Sequence, residues 1–190
     1  MQQAFNMRAL FFTAVICSLI FFGSCKNKKG TDSDPKKDTL TSLHYELHDF
    51  ESVQDASRVD STKGLSGKIC GVVTDKIEYG YGFDKQMKEI ASFNNVEEIN
   101  VAFNCWMDKK YPDDVFVLSI DDTVGKKNVL WEGRAIEPAK MNEWSPVKIN
   151  YKIKKEFLNP EYILKLYIWN KGKNTFYFDD LEFSFVQKKK

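Results

Sequence analysis

The sequence predicts an all-β fold, an antiparallel sandwich of the jelly-roll kind. Short runs rich in β-branched and aromatic residues follow one another with turn residues between them, and several alternate apolar and polar with period two. One face in and one face wet marks an antiparallel sheet, and many short strands at this spacing argue a sandwich or jelly roll. The folded part is assigned to residues 43–190, the size of one ordinary domain.

The elements follow in order. "LHYELHDFE" (43–51) opens, and "GKICGVV" (67–73) comes after a polar loop, with Cys70 and Val72 assigned to its inward set. "FDKQMKEIASF" (83–93) is the one segment with helical character, and the strand or irregular reading stands equally beside it. In "VEEINVAFNCWM" (96–107), Ile99, Val101, Phe103 and Cys105 share one face, and Asn100, Ala102, Asn104 and Trp106 the other. "VFVLSI" (115–120), the turn "DDTVGKKN" and "VLWEG" (129–133) come next. In "SPVKINYKI" (145–153), Val147, Ile149, Tyr151 and Ile153 alternate with lysines and an asparagine. "YILKLYIWN" (162–170) and "TFYFDDLEFSFV" (175–186) finish the domain.

Residues 1–24 read as a targeting segment. Arg8 precedes the apolar stretch Ala9 to Phe22, and Gly23-Ser24 then lead to Cys25. That stretch is shorter than the roughly 20 residues a spanning helix needs. "FFGSC" resembles a bacterial lipoprotein lipobox, which implies cleavage before Cys25 and its fatty acylation, palmitate included. The expected address is the cell envelope, on the outer membrane because Lys26 and not Asp follows the cysteine. Residues 25–42 read as the lipidated cysteine and a flexible tether, with Leu40 their one large aliphatic side chain. Such a chain reaches roughly 20–25 Å on average.

Charge narrows the partners. Twenty-eight basic residues against 27 acidic ones give a net charge of +1, which advertises no nucleic acid. Of four cysteines, Cys17 leaves with the leader and Cys25 takes lipid. Cys70 and Cys105 stay in an export compartment, either bonded or as small apolar side chains. Their spacing is unlike a zinc site.

The succession "DFES" (49–52), "LSGKICGVV" (65–73), "EYGYGF" (78–83), "EWSPVKINYKI" (143–153), "LYIWN" (166–170) and "FYFDDLEF" (176–183) resembles carbohydrate-binding modules and other galactose-binding-like jelly rolls. The resemblance implies a structural Ca²⁺ held by Glu51 and Asp179, with the carbonyl of Asp49 and those around Lys63 to Ser66 completing the shell. A cation would offset the cost of a carboxylate inside an apolar strand. In the other reading Asp179 caps backbone N–H groups at a bend and Asp180 faces water.

Catalytic machinery is not expected. His44 and His48 share a strand face without a third metal ligand, and Ser66-Gly67 lacks a nucleophile elbow. "YGYGF" lacks a phosphate-cradling helix. The pairs Glu97-Glu98, Asp113-Asp114 and Asp121-Asp122 fall at strand ends and turns. Binding is the stronger expectation. Sugar rings stack on aromatic faces, and Trp106, Trp169 and Tyr167 with Asn104 form the candidate glycan platform; packing is the rival role for them. Trp144 is assigned to the core. Three functions stand in order: a glycan-binding accessory lipoprotein, a structural or protein-interaction envelope lipoprotein, and an unrecognised hydrolase or lyase.

Overall fold

The computed structural model describes residues 40–53 and 55–188. Cys17, Cys25, the leader and most of the tether lie outside the described residues. Ten strands form two antiparallel sheets, and no α-helix occurs among the described residues. The fold is a jelly-roll β-sandwich.

The six-stranded sheet contains β1 (Leu40–His48), β2 (Val59–Asp60), β3 (Cys70–Val73), β5 (Glu98–Trp106), β8 (Ser145–Lys152) and β10 (Phe176–Lys188). Their order is β2-β3-β10-β5-β8, with β1 pairing the second half of β10. The other sheet is β4 (Tyr79–Gln86), β9 (Ile163–Trp169), β6 (Val115–Asp122) and β7 (Lys127–Ala135), in that order. The alternations read in β5 and β8 hold, residue for residue. Phe83 to Gln86 belong to β4, the 3-10 turn Met87–Glu89 follows, and Phe93 opens a second, Phe93–Asn95. Strand β1 starts at Leu40, so Leu40 to Ser42 are not tether. They pair with Val186 to Lys188 because β10 runs long enough to offer them a ladder.

Strand β10 contains the phase change that explains its acidic pair. Phe176 and Phe178 are buried, and so are Leu181, Phe183 and Phe185, which have the opposite parity. One extra residue must sit between the two sets. It is Asp180, at φ 52°, and the register against β5 slips between Asp179 and Glu182. Asp tolerates this left-handed conformation better than most residues, and the bulge lets both apolar sets face the core. Tyr151, fully buried, donates its hydroxyl proton to the Phe116 carbonyl at 2.7 Å.

The inward set of β3 is corrected. Gly71 pairs with Phe178, whose ring occupies the space a Cβ would fill, 2.4 Å from Cε2. Gly71 and Val73 therefore face the core, and Cys70 and Val72 face the other side of the sheet. Cys105 pairs with Phe178 and points inward. The two thiols are free, since β10 lies between their strands and they face opposite ways. Trp144 is only half-buried and lies outside the core cluster. It stands just before β8, past the last β5–β8 pair, Cys105 with Ser145.

Candidate functional site

The outer face of the four-stranded sheet is built by alternation. Along β9, Leu164, Leu166 and Ile168 are fully buried, so Lys165, Tyr167 and Trp169 point outward. Along β6, Phe116, Leu118 and Ile120 point inward, while Val117, Ser119 and Asp121 lie across from Tyr167, Lys165 and Ile163. Strand β7 places Trp131 beside Ser119 and Gly133 beside Val117. A Cβ on Gly133 would meet the Trp131 ring at 2.8 Å, so the indole leans over that glycine. Outward-facing Val117 and Ser119 are nevertheless buried, at 0% and 5% exposure, beneath the larger side chains on either side.

Four aromatic rings stand on this face. Tyr79 and Tyr167 meet edge-to-face at 5.8 Å, and Trp131 and Trp169 at 5.9 Å. Trp169 donates its Nε1–H to Glu78 at 2.9 Å, which fixes its ring. Tyr79 and Trp131 are each 48% exposed. Gly82, opposite Tyr167, lies so close to β9 that a Cβ would fall 2.0 Å from the Leu166 carbonyl oxygen, and it lines a depression of about 440 Å³. Around it stand Arg58, Tyr79, Asp84, Asp121, Lys165 and Tyr167.

The polar groups there are largely paired. Lys165 Nζ lies 3.0 Å from Asp121, and the Asn128 amide lies 2.8 Å from both Asp121 and Ser119. Burial opposes ionisation of Asp121, but Asn128 and Lys165 outweigh it and hold the carboxyl below the usual range. The bond to Asp121 raises the Lys165 ammonium in turn. Apolar ring faces beside fixed hydrogen-bonding groups suit a ligand with C–H faces and hydroxyls.

The platform expected from the sequence is divided between the two sheets. Trp169 and Tyr167 belong to this face, whereas Trp106 and Asn104 lie on β5, across the sandwich. Lys63 Nζ sits 3.3 Å over the Trp106 ring and 4.5 Å over Tyr177, so that indole face is taken. Asn104 donates to Asp180 at 3.2 Å. Sequence reasoning missed Arg58, Asp84 and the partnership of Trp131 with Trp169. Period two in "LWEG" places Trp131 opposite Leu130, but nothing local says which sheet β7 joins.

The carboxylates expected to hold calcium are occupied by backbone amides. Leu65 and Ser66 donate their N–H groups to Asp179 Oδ2 at 2.8 and 3.3 Å, and Asp180 N–H donates to Oδ1 at 2.8 Å. Glu51 Oε1 accepts from Lys68 and Ile69 N–H at 2.7 and 2.8 Å, and Asp49 Oδ1 accepts from Glu51 N–H. The loop thus offers amide donors where Ca²⁺ would need oxygens. Among the described residues no three His, Cys, Asp or Glu side chains are placed to hold a metal ion. Asp49, Glu51 and Asp179 do not fit the ion; amide capping accounts for the buried carboxylate. Burial pushes the Asp179 carboxyl up, against the pull of its amide donors.

No family model matches the sequence, and no curated protein matches it. Solved structures of similar fold are carbohydrate-binding modules. The CBM22-1 xylan-binding domain from Paenibacillus barcinonensis Xyn10C is 10% identical, over 80% of this chain and 95% of that one, at a TM-score of 0.41. The CBM22-2 xylan-binding domain of the same protein is 12% identical, over 77% and 91%, at 0.42. CBM27-1 from Caldicellulosiruptor saccharolyticus, in complex with mannohexaose, is 10% identical, over 76% and 96%, at 0.31. These likenesses concern the fold and leave the ligand to the residues.

Proposed function

We propose that this domain is a non-catalytic glycan-binding module presented at the bacterial cell envelope. The observation that carries the proposal is the face where Tyr79 and Tyr167 border a depression rimmed by paired polar groups, with the Trp131–Trp169 pair standing on the same sheet face. Its ion pairs support binding over catalysis, because Asp121 and Lys165 already neutralise each other and neither is poised as acid or base. The test is affinity electrophoresis and calorimetry against xylan, mannan and β-1,4-galactan. Saturable binding lost on Tyr167→Ala, with the fold retained, supports the module. Absence of binding to all three, together with recovery of an envelope protein, would favour the protein-interaction reading.

Anchoring belongs to the same proposal and rests on "FFGSC" alone. The lipid on Cys25 would carry the domain into detergent-rich phases during phase partitioning. Unchanged partitioning of Cys25→Ala would overturn it.

A further inference from the structure

We infer that the groove continues beyond the four-stranded face into a second basin at the β3–β4 turn, where further units of one neutral polysaccharide chain bind. This rests on the glycan reading above. The second basin measures about 600 Å³ and is bordered by Ser57, Arg58, Thr74, Lys76, Glu78 and Tyr79. Arg58 and Tyr79 border both basins, so the two are contiguous and these side chains form the saddle between them. Each volume falls within the ~300–1,000 Å³ of a cleft for one small ligand. Two joined basins therefore suit a chain better than a single sugar.

The second basin has a fixed frame. Thr74 and Ile77 bridge through backbone hydrogen bonds of 3.4 and 3.1 Å, and Lys76 N–H donates to Thr74 Oγ1 at 3.2 Å. Asn170, fully buried on the far side, donates to the carbonyls of Thr74 and Ile77 at 2.7 and 3.3 Å. Arg58 closes the 3-10 turn Ala56–Arg58, whose cap Asp55 accepts from Ser57 N–H at 3.1 Å and lies 3.5 Å from Arg58 Nε. A frame held in this way loses little freedom on binding.

Charge selects the class of chain. Arg58 is paired with Asp55, Lys165 with Asp121, and Glu78 accepts from Trp169. Lys76 and Asp84 add one charge of each sign, so the lining of the two basins balances, Arg58, Lys76 and Lys165 against Glu78, Asp84 and Asp121, and offers an ionic ligand no net opposite charge. A neutral chain needs only hydroxyl partners, which Ser57, Thr74 and Tyr79 supply beside the saddle.

The test uses the full chain with xylo-, manno- and β-1,4-galacto-oligosaccharides of two to six units. Calorimetry gives affinity against length, and amide NMR spectra report where each oligomer sits. The expected result is at least tenfold tighter binding of the longest oligomer over the shortest, with Ser57, Lys76 and Glu78 amides shifting only for the longer ones. Lys76→Glu should then weaken the long oligomer and leave the short one unchanged. Equal affinity at every length, with those amides still and Tyr167 responding, would overturn the second basin alone. Failure of every oligomer to bind would overturn both the basin and the glycan reading.

Discussion

Glu51 and Asp179 are held by successive amides of a single loop. Leu65 and Ser66 N–H point at Asp179, and Lys68 and Ile69 N–H at Glu51. A Cβ on the intervening Gly67 would fall 2.1 Å from Glu51 Oε1, so the carboxylate lies against the bare glycine backbone. These amides join the end of β1 to the bulge of β10 through one loop.

Asp179→Ala should therefore cost about 1–3 kcal/mol in urea unfolding, since it removes hydrogen bonds from three amides to one charged group. Chelator should leave the melting temperature of wild type unchanged. A chelator-induced drop would restore calcium. Because burial raises the folded carboxyl above its unfolded value, Asp179 takes a proton in the folded state first as pH falls. Its own contribution to stability rises on acidification through that window, and Asp179→Asn should remove that component of the slope.

A second pH effect has the opposite sign. Glu46 accepts from His44 at 2.9 Å, contacts Lys85 across the sandwich edge, and lies 3.8 Å from His48. Burial lowers His48, with Lys85 adding to it and Glu46 and Asp49 opposing. Below its unfolded value of about 6.5, the unfolded chain takes the proton first, so stability is lost as pH falls through the folded value. Thermal melts between about pH 7.5 and pH 5.5 should show this loss, and His48→Gln should flatten it. Identical slopes in both proteins would sink the assignment.

The two sheets separate packing from binding. Trp106→Ala removes the ring beneath Lys63 and should cost about 1 kcal/mol or more in stability, with glycan affinity within twofold of wild type. Trp131→Ala should do the reverse, losing tenfold or more in affinity with little change in melting. Calorimetry and melts on the same two proteins decide it.

Both buried thiols should resist alkylation until the domain unfolds. Burial pushes the Cys70 thiol up to about 12 and raises Cys105 as well, and thiolate is the reactive form. Mass spectrometry after iodoacetamide at pH 8 should find neither Cys70 nor Cys105 labelled in native protein and both labelled in denaturant, without reductant.

The strands were legible because alternation is local. Phe103 with Cys105, and Ile149 with Tyr151, declare their faces within their own runs. The bulge was written too, in the switch from Phe176 and Phe178 to Leu181, Phe183 and Phe185. Strand order is a long-range property, so nothing near Trp106 or Trp169 said that they would stand on different sheets. The Leu65–Ile69 amides left no trace either, because backbone donors are the same for almost every residue type.

Strand β10 also sets the timing of assembly. It pairs with β1, β3 and β5, so the six-stranded sheet has no centre until the last of its strands has been synthesised. Strand β1 and the β2–β3 pair must wait, since no other strand joins them to β5. Closing contacts over that separation makes folding slow. Until synthesis reaches β10 a nascent chain of this kind can form pieces of its larger sheet and never the whole.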